Sequence, residues 1–137
     1  LFRLPLTDLI YHACDKDPVF IATGTGLIPF VHMLDELKKK NIRKNVLVVF
    51  GCLREQDDLT VILLKDFQEF FNIKTSVCIE KPQGPLKSGY HGGRVTDLIK
   101  NTVFDYDRQD FYICGHPHMT EAVVKYLRQQ GAKRVYY

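Results

Sequence analysis

At 137 residues with 45% hydrophobic side chains, the chain has the size and apolar content of one domain with a full core. Its 19 Lys and Arg against 16 Asp and Glu leave a net charge of +3, scattered and locally matched by acids, which excludes a nucleic-acid or membrane-surface footprint. The four cysteines form no Cys-x-x-Cys pair, so neither a zinc site nor a disulfide framework is indicated, and no apolar stretch reaches the ~20 residues of a membrane span. A reducing, cytoplasmic setting is therefore expected. The chain starts at Leu1 rather than Met and stops within the apolar run Val135-Tyr136-Tyr137, so a piece of a longer protein is expected.

Residues 1–17 show little periodicity, are interrupted by Pro5 and close on the turn residues Asp15-Lys16-Asp17-Pro18. They read as a lead-in segment packing on the flank of a domain over residues 18–137. Val19-Phe20-Ile21-Ala22 is a continuous apolar run of the kind buried on both faces of a parallel sheet. It feeds into Thr23-Gly24-Thr25-Gly26-Leu27-Ile28-Pro29, where the glycines permit a tight turn and Pro29 suits a first helical turn, since its missing N–H costs nothing there. Phe30, Val31, Leu34 and Leu37 then recur at helical spacing as far as Asn41, with Lys38-Lys39-Lys40 as solvated cations favourable to the helix C-terminus.

Val46-Leu47-Val48-Val49-Phe50, stopped by Gly51, is a second buried strand. A polar turn over residues 54–58 leads to Leu59, Ile62, Leu63, Phe67, Phe70 and Phe71, a second helical face that Asp57 or Asp58 is placed to cap. Residues 73–79 alternate partly and read as the third strand, whereas residues 80–93, with two prolines and four glycines, read as a long loop. Leu98 and Ile99 sit in a short helix with Thr96 as its cap, and Phe111-Tyr112-Ile113-Cys114 is the fourth strand. From Pro117, Met119, Val123, Tyr126 and Leu127 mark a last helix ending at Gly131, after which Val135 begins a fifth strand. The expected fold is α/β: a doubly wound five-stranded parallel sheet, order 3-2-1-4-5, with helices on both faces.

In such a sheet the C-terminal strand ends share one rim, so residues 24–29, 51–54, 78–81 and 114–119 should converge there. A glycine turn between a strand and a helix start suits a nucleotide's diphosphate. The pattern is Gly-x-Gly-x-x-Pro rather than Gly-x-Gly-x-x-Gly, no Lys-Ser/Thr follows as in a Walker loop, and a glycine turn without ligand is the competing reading. Small residues at Gly51-Cys52 and Cys114-Gly115 are expected to let a flat ligand approach.

The stretch from Ile21 through Gly24, Gly26 and Pro29 to Phe30 resembles the diphosphate loop of the C-terminal pyridine-nucleotide domain of the ferredoxin–NADP(H) reductase family. Tyr112-Ile113-Cys114-Gly115-His116-Pro117-His118-Met119 resembles that family's Cys-Gly motif beside the nicotinamide. The resemblance covers nearly the whole chain: Leu1-Phe2-Arg3-Leu4 is similar to the link leaving the family's flavin-binding barrel, and Val135-Tyr136-Tyr137 to the strand before its C-terminal residues. It implies an NAD(P)H-dependent flavoprotein reductase that passes a hydride to FAD and electrons to a ferredoxin, iron–sulfur or haem partner. FAD would be bound mainly by a flavin-binding domain absent from this chain, which is not expected to turn over alone.

By the same resemblance Thr23, Gly24, Thr25, Gly26, Leu27 and Pro29 hold the diphosphate, and Cys114 stands at the nicotinamide as its catalytic neighbour. Gly115, His116, Pro117 and Met119 flank it, with Gly51, Cys52 and Arg54 on the next strand end. Arg54 keeps the family's spacing to Asp58 but stands three residues after Gly51 instead of two, and a surface arginine is the competing reading. Cys114 also reads as a small buried strand-end residue, with no need of a reactive thiolate. Met119 reads equally as core, and His116 with His118 as a surface pair without a third metal ligand.

Members using NADPH place Ser-Arg after the third strand, where this chain has Cys78-Ile79-Glu80-Lys81. Glu80 is suited to accept from a free ribose 2′-OH and to repel a phosphate, so NADH is expected. Lys81, Lys87 and Tyr90 in the same loop leave NADPH open. The alternative class is a nucleotide-sensing or protein-binding module that kept the fold without electron transfer.

Overall fold

A computed structural model describes residues 9–137. The lead-in segment's first eight residues, and with them the likeness of Leu1-Phe2-Arg3-Leu4 to a link, lie outside the described residues.

Val19, Phe20, Ile21 and Ala22 are fully buried, as a central strand's unbroken apolar run requires. They form the middle of β1 (Asp17–Thr23), which pairs in parallel with β2 (Asn45–Cys52) on one side and β5 (Gln109–Cys114) on the other. With β3 (Asn72–Ile79), β4 (Tyr90–Gly92) and β6 (Val135–Tyr136), the sheet order is β4-β3-β2-β1-β5-β6, every neighbour parallel. The five strands expected from the sequence are present in the expected order. The sixth, β4, lies inside the segment read as a loop, where Val77 N–H donates to Gly89 O at 3.2 Å and Gly93 N–H to Ile79 O at 3.0 Å. Three residues containing a half-buried Tyr90 and two exposed neighbours carry no periodic signal.

Strand alternation sends side chains to two cores. Phe20, Ala22, Val48, Phe50, Val77, Ile79 and Tyr112 face α1 (Ile28–Lys39) and α2 (Thr60–Leu64). Val19, Ile21, Val49, Cys78, Phe111 and Ile113 face α3 (Val95–Lys100) and α4 (Pro117–Gln129). Phe30, Met33, Leu34 and Leu37 are the buried face of α1, and Met119, Val123, Val124 and Leu127 that of α4.

Two local expectations are corrected. The second helix does not run through Phe71: α2 stops at Leu64 and a 3-10 turn, Lys65–Phe67, follows. Val61 and Ile62, β-branched and more than 70% exposed, contribute nothing to the core face, whereas the tighter turn brings Phe67 and Phe71 inward beside Leu64. Asp58 stands one residue before Leu59, the N-cap of α2, and its Oδ1 accepts from Thr60 N–H at 2.9 Å and from Thr60 Oγ1 at 2.7 Å. Thr96 is not a cap: it lies inside α3, which Arg94 precedes in an extended conformation.

The described lead-in residues run along β5 and β6. Tyr11 stacks on Tyr112 with ring centroids 5.4 Å apart, and His12 on Tyr136 at 4.0 Å. His12 N–H donates to the Tyr112 hydroxyl at 2.9 Å, and Cys14 Sγ–H to the buried Asp110 carboxylate at 3.1 Å, which Arg134 also meets. Burial pushes the Tyr11 hydroxyl up to about 12 and that of Tyr112 further in the same direction. Among the described residues no helix is long and apolar enough to cross a membrane.

Candidate functional site at the carboxyl rim of the sheet

β1 delivers Thr23 in an extended conformation, and the chain then turns at Gly24, whose φ of +53° favours glycine. A 3-10 turn, Gly24–Leu27, runs directly into α1, with Pro29 near its start. The first N–H groups of a helical turn have no upstream carbonyl to meet. Neither the turn nor α1 carries an acidic residue at its start, so no carboxylate of the first turn offsets the positive dipole end. A Cβ on Gly24 would meet nothing within 4 Å, so this backbone is open to a ligand.

At Gly26, Gly51 and Gly115 the protein's own packing also leaves no room for a side chain. A Cβ at Gly26 would be driven into the Cys114 carbonyl, and one at Gly115, φ +149°, into Thr23. One at Gly51 would lie 2.5 Å from a Val95 methyl. These contacts hold the glycine turn, the end of β2, the start of α3 and the Cys114-Gly115 turn against one another. His116 N–H donates to Thr23 Oγ1 at 2.8 Å across the same seam. His116 in turn caps α4, its Nδ1 accepting from His118 N–H at 3.2 Å while the two rings stack at 5.3 Å.

The result is one cleft of about 1080 Å³ along the strand ends. Cys114, Gly115, His116 and Met119 line one end, Thr23, Gly24, Thr25, Gly26 and Pro29 the middle, and Gly51, Cys52 and Glu80 the rest. Three expected site residues do not line it. Leu27 is fully buried in the core, Pro117 opens α4 on its far side, and Arg54 is half-buried in a turn where its N–H donates to Asp57 Oδ2 at 3.2 Å. Met119 is both core and wall, 9% exposed with its edge on the cleft. Arg94 and Val95, absent from the sequence reading, do line it. The signal for them was a Gly-Gly-Arg at the end of the presumed loop.

Burial raises the thiol pKa of all three cleft cysteines. Cys52 is pushed up to about 11 by burial and then by Asp58 and Asp57, Cys78 to about 11 by burial and Asp97, and Cys114 upward by burial. At neutral pH these are uncharged, polarisable walls rather than nucleophiles.

Residues 20–125 match the family model of the oxidoreductase NAD-binding domain. The electron transfer component of toluate 1,2-dioxygenase from Pseudomonas putida is 31% identical over 129 residues, 93% of this chain and 37% of that protein. A component of the Na(+)-translocating NADH-quinone reductase from Shewanella denitrificans is 27% identical over 138 residues, 94% of this chain and 33% of that protein. The chain thus spans about a third of the length of these curated relatives. Among solved structures, the FAD/NAD binding domain of nitric oxide dioxygenase from Vibrio cholerae shares the fold with a TM-score of 0.75 and 22% identity, over 96% of this chain and 54% of that one. A ferredoxin NADP+ reductase from Neisseria gonorrhoeae, with bound FAD and NADP, does so with a TM-score of 0.69 and 21% identity, over 85% of this chain and 49% of that one. The chain belongs to the oxidoreductase NAD-binding domain family, as its glycine loop and Cys-Gly turn led one to expect.

Proposed function

We propose that this chain binds NADH in the rim cleft and presents its nicotinamide to a flavin held by another part of the intact protein. The observation that carries the reading is the seam between Gly26 and Cys114, which fuses an anion-accepting turn and an uncharged strand-end wall into one cleft. The cleft's volume suits a dinucleotide, and nothing at the turn's start repels a diphosphate. Backbone N–H groups of residues 24–26 bind the diphosphate, and Thr23 fixes the height of the turn carrying Cys114 above it. The protonated Cys114 thiol packs on the nicotinamide without competing for it. Glu80 at the far end accepts from a ribose 2′-OH, which favours NADH.

When bound, NADH would supply a hydride for FAD held elsewhere in the intact protein, and through it electrons for a ferredoxin, iron–sulfur or haem acceptor. The chain's own contribution is positioning and an uncharged thiol wall at Cys114. An electron transfer component and an NADH-quinone reductase component among the relatives support this. The test is an NMR titration with NADH: the amides of residues 24–26 and of Cys114 and Gly115 should shift together at saturation. Unchanged shifts at millimolar NADH would overturn the reading.

A further inference from the structure

Of the groups in the loop after β3 that the sequence offers to a 2′-phosphate, two are engaged elsewhere. Lys87 Nζ lies 3.3 Å from Glu55, and the Tyr90 hydroxyl donates to Asp58 at 2.6 Å. Neither they nor Lys81 line the cleft. Ile79 is fully buried and offers no place for a cation. Arg94 does line the cleft, and its Nε donates to Glu80 Oε1 at 3.2 Å.

The backbone brings these two side chains together. Glu80 N–H donates to Cys52 O at 3.0 Å, and Gly93 N–H to Ile79 O at 3.0 Å, so the end of β3 and the residue before Arg94 are tied side by side. The strand ends follow the order β5, β1, β2, β3, each about 4.8 Å from the next. Glu80 and Arg94 therefore stand about 14 Å from Cys114 along the rim, on the far side of the glycine turn, where the binding mode proposed above puts the adenosine ribose.

We propose that Arg94 decides between NADH and NADPH, and that its ion pair with Glu80 keeps a 2′-phosphate out. This rests on the nucleotide-binding reading above. A guanidinium has five N–H donors in a fork that matches phosphate, and the contact to Glu80 is through Nε. Glu80 offsets the charge and presents its own to any anion arriving there, while a ribose 2′-OH can donate to its carboxylate. Replacing Glu80 by Gln keeps its size, removes the repulsion and returns the whole guanidinium to the cleft. The side chains are 73% and 42% exposed, so loss of the pair leaves the fold standing.

The experiment is titration calorimetry of NAD+ and NADP+ on the chain, on Glu80→Gln and on Glu80→Gln with Arg94→Gln. Glu80→Gln should tighten NADP+ roughly ten- to hundredfold, the effect of one charged hydrogen bond. The double variant should lose that gain, and added salt should shrink it. If Glu80→Gln brings no gain for NADP+ while the unaltered chain binds NAD+, or if the gain persists without Arg94, the proposal is overturned. If no form binds NAD+ at all, it is the nucleotide-binding reading that falls, and this proposal with it.

Discussion

Thr23 Oγ1 accepts the backbone N–H of His116 at 2.8 Å, joining the end of β1 to the turn after β5 across 93 residues of sequence. Gly115 lies between them with φ +149°, in the space a side chain would need, and Thr23 fills that space. The hydroxyl thus sets the distance between the glycine turn and Cys114.

Thr23→Val keeps the shape and removes the acceptor. His116 is exposed, so water can take its N–H, and the loss of stability should stay near 1 kcal/mol. NADH affinity should fall further than this stability loss alone implies, because the two walls of the cleft are released. Urea melts and NADH titration check both, with Thr23→Ser restoring each; equal affinity in Val and Ser variants would show that the hydroxyl does not position the turn.

Gly24 and Gly26 should respond differently to alanine. At Gly24 the new methyl points into open space and the cost is the left-handed backbone, about 1–2 kcal/mol. At Gly26 it meets the backbone of Cys114 and Gly115, which cannot swing aside, and the cost should reach about 3 kcal/mol. Denaturant midpoints rank the two; amide shifts at Cys114 and Gly115 should move in Gly26→Ala and stay in Gly24→Ala.

The raised thiol values make a prediction for alkaline pH. Cys52 and Cys78 favour the protonated form when folded, so their contribution to stability is fully present below the ordinary thiol value of 9.0. It is lost as the pH rises through about 11. Thiolate absorbance of the folded chain should accordingly appear late, near pH 11 for these two, and thermal stability should decline over the same interval. A full thiolate signal by pH 9 would contradict the burial described here.

Arg134→Met should be costly because Asp110, 2% exposed, would keep only the Cys14 thiol as a side-chain partner among the described residues. About 3 kcal/mol is expected, the low end for a broken buried pair, since Arg134 leaves a quarter of its side chain in solvent. Adding Asp110→Asn should recover much of that loss, as read from urea unfolding.

β1, β2 and β5 were legible in the sequence because strands buried on both faces are written as unbroken apolar runs. α1 and α4 were legible because each has one apolar stripe, with a proline near its start. β4 escaped because its pairing is backbone geometry around Tyr90, not a pattern of side chains. α2 was drawn too long because Phe67 and Phe71 keep helical spacing even where the backbone tightens into a 3-10 turn. The rim was found, but the packing role of its glycines was not: contacts such as Gly26 to Cys114 are tertiary and invisible to spacing. Arg94 went unnoticed because only the β3–β4 pairing carries the chain back to Glu80.

The position of β1 between β2 and β5 has a consequence for how the chain is made. Val19 pairs with Leu47 and with Phe111, so one edge of the most apolar strand closes early and the other waits for a segment more than ninety residues later. Non-local parallel pairing of this kind is slow, and during synthesis the open edge of β1 is a place for mispairing until β5 emerges. The glycine turn exists before that moment, but its opposite wall does not. The cleft between the glycine turn and Cys114 is therefore complete only once β5 has docked beside β1.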